Sequence, residues 1–264
     1  MKVLNYFPAM LIVTLLATSC EKYKEIGDAS YSEQTVYMPA AIEGNSISGI
    51  YRVNAVAVLG QVFRYVADVT GKKLNIPLAA YRSGVNTKGT TEVNIAANID
   101  TVNKLILANK FPSVTELLPA DKYTLSSSTV TIADGEGYKG FTLAVDLNFL
   151  LANLTKKFAI GVAVSTQQKI PGKFATTIVF IDPAFLVPVA SFTSTISTRT
   201  VNFSNTSVNA NAWLWNYGDG TPTSTEKAVP HTYANAGTYT ITLTAAGALG
   251  DFNISTFTST VIIP

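Results

Sequence analysis

The sequence predicts an all-β chain built as two β-sandwich domains in tandem, and three observations predict it. Apolar residues alternate with period two in clear runs: Val93, Ile95, Ala97 and Ile99 are separated by Asn94, Ala96 and Asn98, and Phe158, Ile160, Val162 and Val164 by Ala159, Gly161 and Ala163. Alternation of this kind puts one set of side chains on a core face. Many short apolar runs are divided by turn residues, most strongly by Asp134-Gly135-Glu136-Gly137, which is the spacing of a sandwich. Finally, Pro183 and Pro188 bracket a short junction, and a residue with fixed φ and no N–H is a natural place for strand pairing to stop.

The elements follow in chain order. Lys2 supplies a positive start, Met10 to Ala17 an apolar run, and Ala17, Thr18 and Ser19 small residues before Cys20. The run is shorter than the roughly 20 residues of a spanning helix and reads as a signal peptide over residues 1–19. Ala17-Thr18-Ser19-Cys20 resembles the lipobox of bacterial lipoproteins, with Ala where Leu is usual. The resemblance implies cleavage before Cys20 and a lipid on its thiol, hence a membrane anchor. An ordinary secretory signal with an incidental or buried Cys is the competing reading. Residues 20–34 are polar and read as a tether.

From residue 35 to 182 the chain reads as one β-rich domain. Candidate strands are 52–59, 62–69, 129–133, 140–146 and 175–181, besides the two alternating runs. Asp100 is expected to cap a short helix through about Lys110 with Val102, Leu105 and Ile106 inward, and Leu147 to Leu154 a helical turn. Residues 183–188 read as a linker, and 189–264 as the second domain.

Composition excludes several functions. A net charge of +2 over 264 residues leaves no basic field for nucleic acid. The split is +2 for residues 21–187 and −1 for 188–264, so neither part is an electrostatic specialist. A single Cys forbids an internal disulfide, and a single His forbids the usual multi-His metal site. No Gly-x-Ser-x-Gly, Walker-type loop or His-Glu-x-x-His occurs, so no enzyme and no cofactor are expected.

The C-terminal region carries the most specific pattern. Trp213, Trp215 and Tyr217 alternate on one strand, and Gly218-Asp219-Gly220 turns the chain. His231-Thr232-Tyr233 and Gly237-Thr238-Tyr239-Thr240-Ile241-Thr242-Leu243 follow. The series resembles the PKD domain, an immunoglobulin-like sandwich. The resemblance implies that Val189 to Phe192 and Val201 to Ser204 are its first strands. It implies that Trp215 is the core Trp and that Tyr239 is a tyrosine corner. Asp219 and His231 could form an acid–base pair or metal site. The favoured reading is a turn carboxylate braced by a loop His, because nucleophile and further ligands are missing. The family is a spacer or interaction module outside the cell.

Further N-terminal motifs are Val36-Tyr37-Met38-Pro39, Tyr81-Arg82-Ser83-Gly84, Leu118-Pro119-Ala120-Asp121-Lys122-Tyr123, Val130-Thr131-Ile132 and Thr177 to Asp182. They resemble a β-rich domain of unknown function at the N-terminus of Bacteroidetes surface lipoproteins, whose members often accompany glycan-utilisation machinery. The resemblance implies a non-catalytic, lipid-anchored protein of the outer membrane that binds or helps capture polysaccharide at the cell surface. The periplasmic face stays open, because Glu21-Lys22-Tyr23-Lys24-Glu25 is mixed rather than acidic. The alternative is a structural or adhesive module contacting another envelope protein, and a glycan-active enzyme ranks third.

Sugars stack on exposed aromatic rings. Among the N-terminal aromatics, Tyr81 beside Arg82 and Tyr138 at the Gly-rich turn are the ligand candidates, with plain packing or turn anchoring as the competing reading. Asp100-Thr101-Val102 resembles a Bacteroidetes O-glycosylation sequon at Thr101, which a simple helix start explains as well.

Overall fold

The structure, a computed structural model, describes residues 34–38, 49–57, 65–84, 87–111, 114–168, 170–228 and 230–264. The signal segment, Cys20 and the tether up to Glu33 lie outside the described residues. The N-terminal region opens with β1 (Val36–Tyr37), β2 (Ile50–Val53), β3 (Val66–Asp68), β4 (Lys73–Arg82), β5 (Thr91–Ala97) and helix α1 (Ile99–Leu107). Then come β6 (Glu116–Leu117), β7 (Tyr123–Leu125), β8 (Thr129–Ile132), β9 (Tyr138–Asp146), helix α2 (Leu147–Leu151), β10 (Phe158–Ser165) and β11 (Thr176–Ile181).

These strands make two sheets. One runs β1-β4-β9-β7 with β3 also on β4, and the other runs β2-β11-β10-β5-β8 with β6 on β10. The period-two pattern builds the space between them. Leu74, Ile76, Leu143 and Val145 from one sheet meet Val93, Ile160, Val162 and Val179 from the other, all buried. The second sheet is covered outside as well, where Val102 of α1 packs with Ala159, Ile178 and Phe180. That second cover explains why β10 and β11 are buried on both faces. Pro77 sits in mid-strand on β4 because β3 ends its pairing at Asn75 and β1 begins at Tyr81. A residue without an N–H costs no ladder bond in that gap.

Several expectations need correction. The helix cap is Asn98, whose Oδ1 accepts from the Thr101 N–H at 3.1 Å. Asp100 lies in the first turn instead, where a negative charge suits the helix dipole. The helical turn stops at Leu151. The expected strands 52–59 and 62–69 are the shorter β2 and β3, and residues 58–64 lie outside the described ones. The segment read as a linker is a buried 3-10 turn, Pro183–Leu186. Its apolar residues drive it inward: Phe185 packs on Tyr65 with ring centroids 4.9 Å apart.

The C-terminal sandwich comprises β12 (Phe192–Ser197), β13 (Thr200–Asn205), β14 (Ala212–Asn216), β15 (Pro230–Thr232), β16 (Gly237–Gly247) and β17 (Gly250–Ile263). Its sheets run β12-β13-β15 and β14-β16-β17. Trp215 is fully buried among Phe192, Phe203, Ile241 and Leu243. The first strand starts at Phe192, three residues later than expected. Val189 makes only an isolated bridge to Val208.

The two sandwiches share a core. Leu249 and Ala248, at the tip of the β16–β17 hairpin, pack into the N-terminal cluster that holds Phe185 and Leu186. Asparagine amides seal the contact by donating to backbone carbonyls. Asn209 donates to Ala184 at 2.9 Å and Val187 at 3.2 Å, Asn253 to Leu186 at 3.4 Å, and Asn211 to Ala57 at 3.1 Å. Residues 34–264 form one compact unit.

Candidate functional site

Strand register brings three tyrosines into one row. On β4 the residues Leu74, Ile76, Leu78, Ala80 and Arg82 point inward, so Tyr81 points out. Tyr37 on β1 and Tyr138 on β9 are its direct cross-strand neighbours, and directly opposed residues share a face. The Tyr81 and Tyr138 rings stack with centroids 5.0 Å apart and planes 16° from parallel. Tyr37 leans on Tyr81 at 6.0 Å and 40°. Tyr37 and Tyr81 are half-buried by this stacking, whereas Tyr138 is 56% exposed at the open end of the row. The floor beside it is small, since Ala79 and Gly140 oppose each other on the same face.

Arg82 is not part of this surface. It is 5% exposed and turns into the sandwich, in phase with the core residues of β4. Its guanidinium makes five hydrogen bonds: to the carbonyls of Gly89 (2.6 Å), Thr87 (2.5 Å), Ala133 (3.2 Å) and Glu136 (2.6 Å), and to the Thr91 hydroxyl (3.4 Å). The fork geometry of Arg suits several acceptors at once. The expected ligand contact is thus a hub that clamps two loops, one of which leads directly into Tyr138. Asp134 and Glu136 belong to the same clamp. Asp134 accepts from the Gly89 N–H at 2.6 Å, and Glu136 from the Ala133 N–H at 3.1 Å.

Tyr37 was legible as one aromatic among many. The signal that would have singled it out is the strand pairing itself, which the sequence does not carry. Thr101 lies half-buried in the first turn of α1, its backbone N–H held by Asn98.

In the C-terminal sandwich, Asp219 and His231 do meet: Oδ2 and Nε2 are 2.7 Å apart. The other carboxylate oxygen accepts from the Thr221 N–H (3.1 Å) and hydroxyl (2.6 Å). Burial opposes ionisation of Asp219, but the hydrogen bonds from Thr221 and His231 together hold its carboxyl below the usual range. The His231 ring lies flat on Tyr217 at 3.9 Å. With both oxygens engaged, the pair acts as a brace across the turn. Gly218 cannot be replaced there: it has φ of +77°, and a Cβ would sit 2.3 Å from the Thr240 carbonyl oxygen. Gly220 has φ of +78° in the same turn.

The aromatic core around the brace is tied by phenol and indole hydrogen bonds. Tyr233 donates to the Tyr217 carbonyl (3.0 Å), Tyr239 to that of Asn235 (3.0 Å), and the Trp215 indole to that of Glu226 (3.0 Å). The Tyr239 bond, four residues back along the chain, is the tyrosine-corner geometry. A Cβ at Gly237 would lie 3.5 Å from the nearest carbon of the Tyr239 ring. Burial, then the charge of Asp219, pushes the Tyr233 phenol up to about 12. Among the described residues no three His, Cys, Asp or Glu side chains gather to hold a metal, and no helix is long and apolar enough to cross a membrane.

The PKD1 domain of the Vibrio cholerae metalloprotease PrtV is 34% identical over 29% of this chain and 96% of its own, with a TM-score of 0.27. A Bacteroides ovatus protein described as a candidate carbohydrate binder is 11% identical over 87% of this chain and 70% of its own, with a TM-score of 0.41. A multidomain Bacteroides ovatus protein that includes DUF1735 is 14% identical over 78% of this chain and 60% of its own, with a TM-score of 0.41. No curated protein matches the chain in sequence. The model of the PKD domain family matches residues 187–261, and a family model of an N-terminal domain matches residues 31–171. The chain therefore belongs to the family that this N-terminal domain defines, and it carries a PKD domain behind it.

Proposed function

We propose that the N-terminal sandwich binds polysaccharide, without catalysis, through the exposed ring of Tyr138. The tyrosine row carries this reading. A pyranose presents an apolar C–H face, and burying it on an aromatic ring is favourable. A ring already held by its neighbours loses little freedom on binding, which favours affinity. Tyr81 holds Tyr138 by stacking, Tyr37 supports Tyr81, and the Arg82 clamp fixes the turn before Tyr138. The small Ala79–Gly140 floor leaves room for a sugar beside the ring. The resemblance of the N-terminal motifs to a family that accompanies glycan-utilisation machinery supports the same reading.

We read the chain as tethered to the outer membrane by a lipid on Cys20, facing the cell surface. Mass spectrometry of the N-terminal peptide with protease shaving of intact cells tests the tether. An unlipidated Cys20 overturns the tether, and full protection from protease overturns the surface placement. For binding, isothermal titration of the chain against plant, host and microbial glycans is decisive. Binding of at least one polysaccharide, lost in Tyr138→Ala and weakened in Tyr81→Ala, is expected. No binding across the panel, or binding unchanged in Tyr138→Ala, overturns the reading.

A further inference from the structure

The outer edge of β17 has no strand beside it among the described residues. At the opposite edge of the same sheet, Trp215 of β14 and Ser224 exchange backbone hydrogen bonds at 2.7 and 3.1 Å. An open edge is a row of unpaired N–H and C=O groups, normally guarded by charge, Pro or a bulge. Here the one irregularity falls at the start of the strand. Ala246 pairs with Ile254 but Gly247 pairs with Gly250, so Asp251, Phe252 and Asn253 are looped out. From Ile254 to Ile263 the pairing with β16 is regular, and the run contains no charge and no Pro.

The outward face of this run reads the same in both directions. Ile254, Thr256, Thr258, Thr260 and Ile262 alternate with residues facing the other side, and all five are exposed, Ile254 by 52% and Ile262 by 71%. Antiparallel pairing of two such strands about a two-fold axis at Thr258 sets Ile254 opposite Ile262 of the partner. It likewise sets Thr256 opposite Thr260 and Thr258 opposite itself. Every cross-strand pair on this face then matches β-branched with β-branched residues, the favourable pairing on a sheet; on the other face Ser255 meets Val261 and Phe257 meets Ser259, and no like charges come together. A surface that complements itself about a two-fold axis is what a closed dimer requires.

We propose that the chain associates with a second copy of itself through the edges of β17, joining two three-stranded sheets into one of six strands. The inference is independent of the tyrosine row. Sedimentation velocity of the full chain in detergent, across a wide concentration range, tests it. The unaltered chain is expected to pass from monomer to dimer as concentration rises. Thr258→Lys and Thr258→Glu each place like charges at the two-fold axis and are expected to remain monomeric. An equimolar mixture of these two variants pairs opposite charges and is expected to regain the dimer, which a folding defect in either variant would not produce. Tyr138→Ala is expected to dimerise as the unaltered chain does. A chain that stays monomeric at every concentration overturns the proposal. So does dimerisation by either charged variant alone, or a mixture that stays monomeric.

Discussion

The guanidinium of Arg82 and the carbonyl of Glu136 lie 2.6 Å apart, tying the end of β4 to the turn that delivers Tyr138. The bond is one of five made by a group that is almost entirely buried. Arg82→Met keeps much of the side-chain volume but takes the guanidinium donor from the Gly89 and Glu136 carbonyls, whereas those of Thr87 and Ala133 keep the N–H groups of Gly135 and Glu136. A loss of about 3 kcal/mol is expected, since each hydrogen bond to a charged group contributes about 1.5–3 kcal/mol. Urea unfolding at unchanged slope reads it directly.

Gly140 tests the floor beside Tyr138. Its backbone does not need glycine, and the nearest atom to an added Cβ is the Leu78 carbonyl oxygen at 3.8 Å. Gly140→Ile should therefore fold at least as well as the unaltered protein, because β-branched residues suit strands. It fills the space next to the ring, so glycan affinity should fall by about tenfold or more, near 1.4 kcal/mol. Titration calorimetry with a thermal melt separates the two effects.

Leu249 joins the sandwiches, buried to 5% exposure in the N-terminal core. Leu249→Ala should cost about 2–5 kcal/mol, the range for removing a buried leucine side chain. Scanning calorimetry is expected to give one transition for the unaltered chain. The variant Leu249→Asp, with a charge at the joint, should give two, one for each sandwich.

Tyr233 governs alkaline stability in the C-terminal sandwich. Its folded value of about 12 lies above the ordinary tyrosine value of 10.0. The folded state thus holds the proton more tightly than the unfolded chain. The contribution is fully present below pH 10 and is lost as pH rises through about 12. Tyr233→Phe should flatten part of this alkaline fall, while Tyr217, also raised by burial, retains some of it. The same variant should be less stable at neutral pH by about 1–3 kcal/mol, because the Tyr217 carbonyl loses its donor. Denaturant titrations between pH 7 and 12 measure both effects.

Local pattern carried much of the fold. Alternation placed Val93, Ile95, Ile160 and Val162 in the core, and the aromatic series placed Trp215 and Tyr217 in a second one. The turn in which Asp219 accepts from Thr221 was also legible, because turn chemistry depends on residues close in sequence. The candidate site was only half legible. Tyr81 and Arg82 are neighbours in sequence and were read as one surface feature, yet successive residues of a strand point to opposite faces. Counting parity from Leu74 would have sent Arg82 inward.

By itself the sequence determined the all-β class, the sandwich cores and the PKD domain, since each follows from periodicity or from motifs within a few residues. Tertiary structure alone decided which tyrosines form a row, because Tyr37, Tyr81 and Tyr138 meet only through the register of β1, β4 and β9. It alone decided that the proline-flanked junction is a seam rather than a linker. Phe185 and Leu186 find their apolar partners in Tyr65 and in Leu249, far away along the chain. Burial depends on what the folded chain brings alongside a residue, and that is set by long-range packing rather than by the residue's own neighbours.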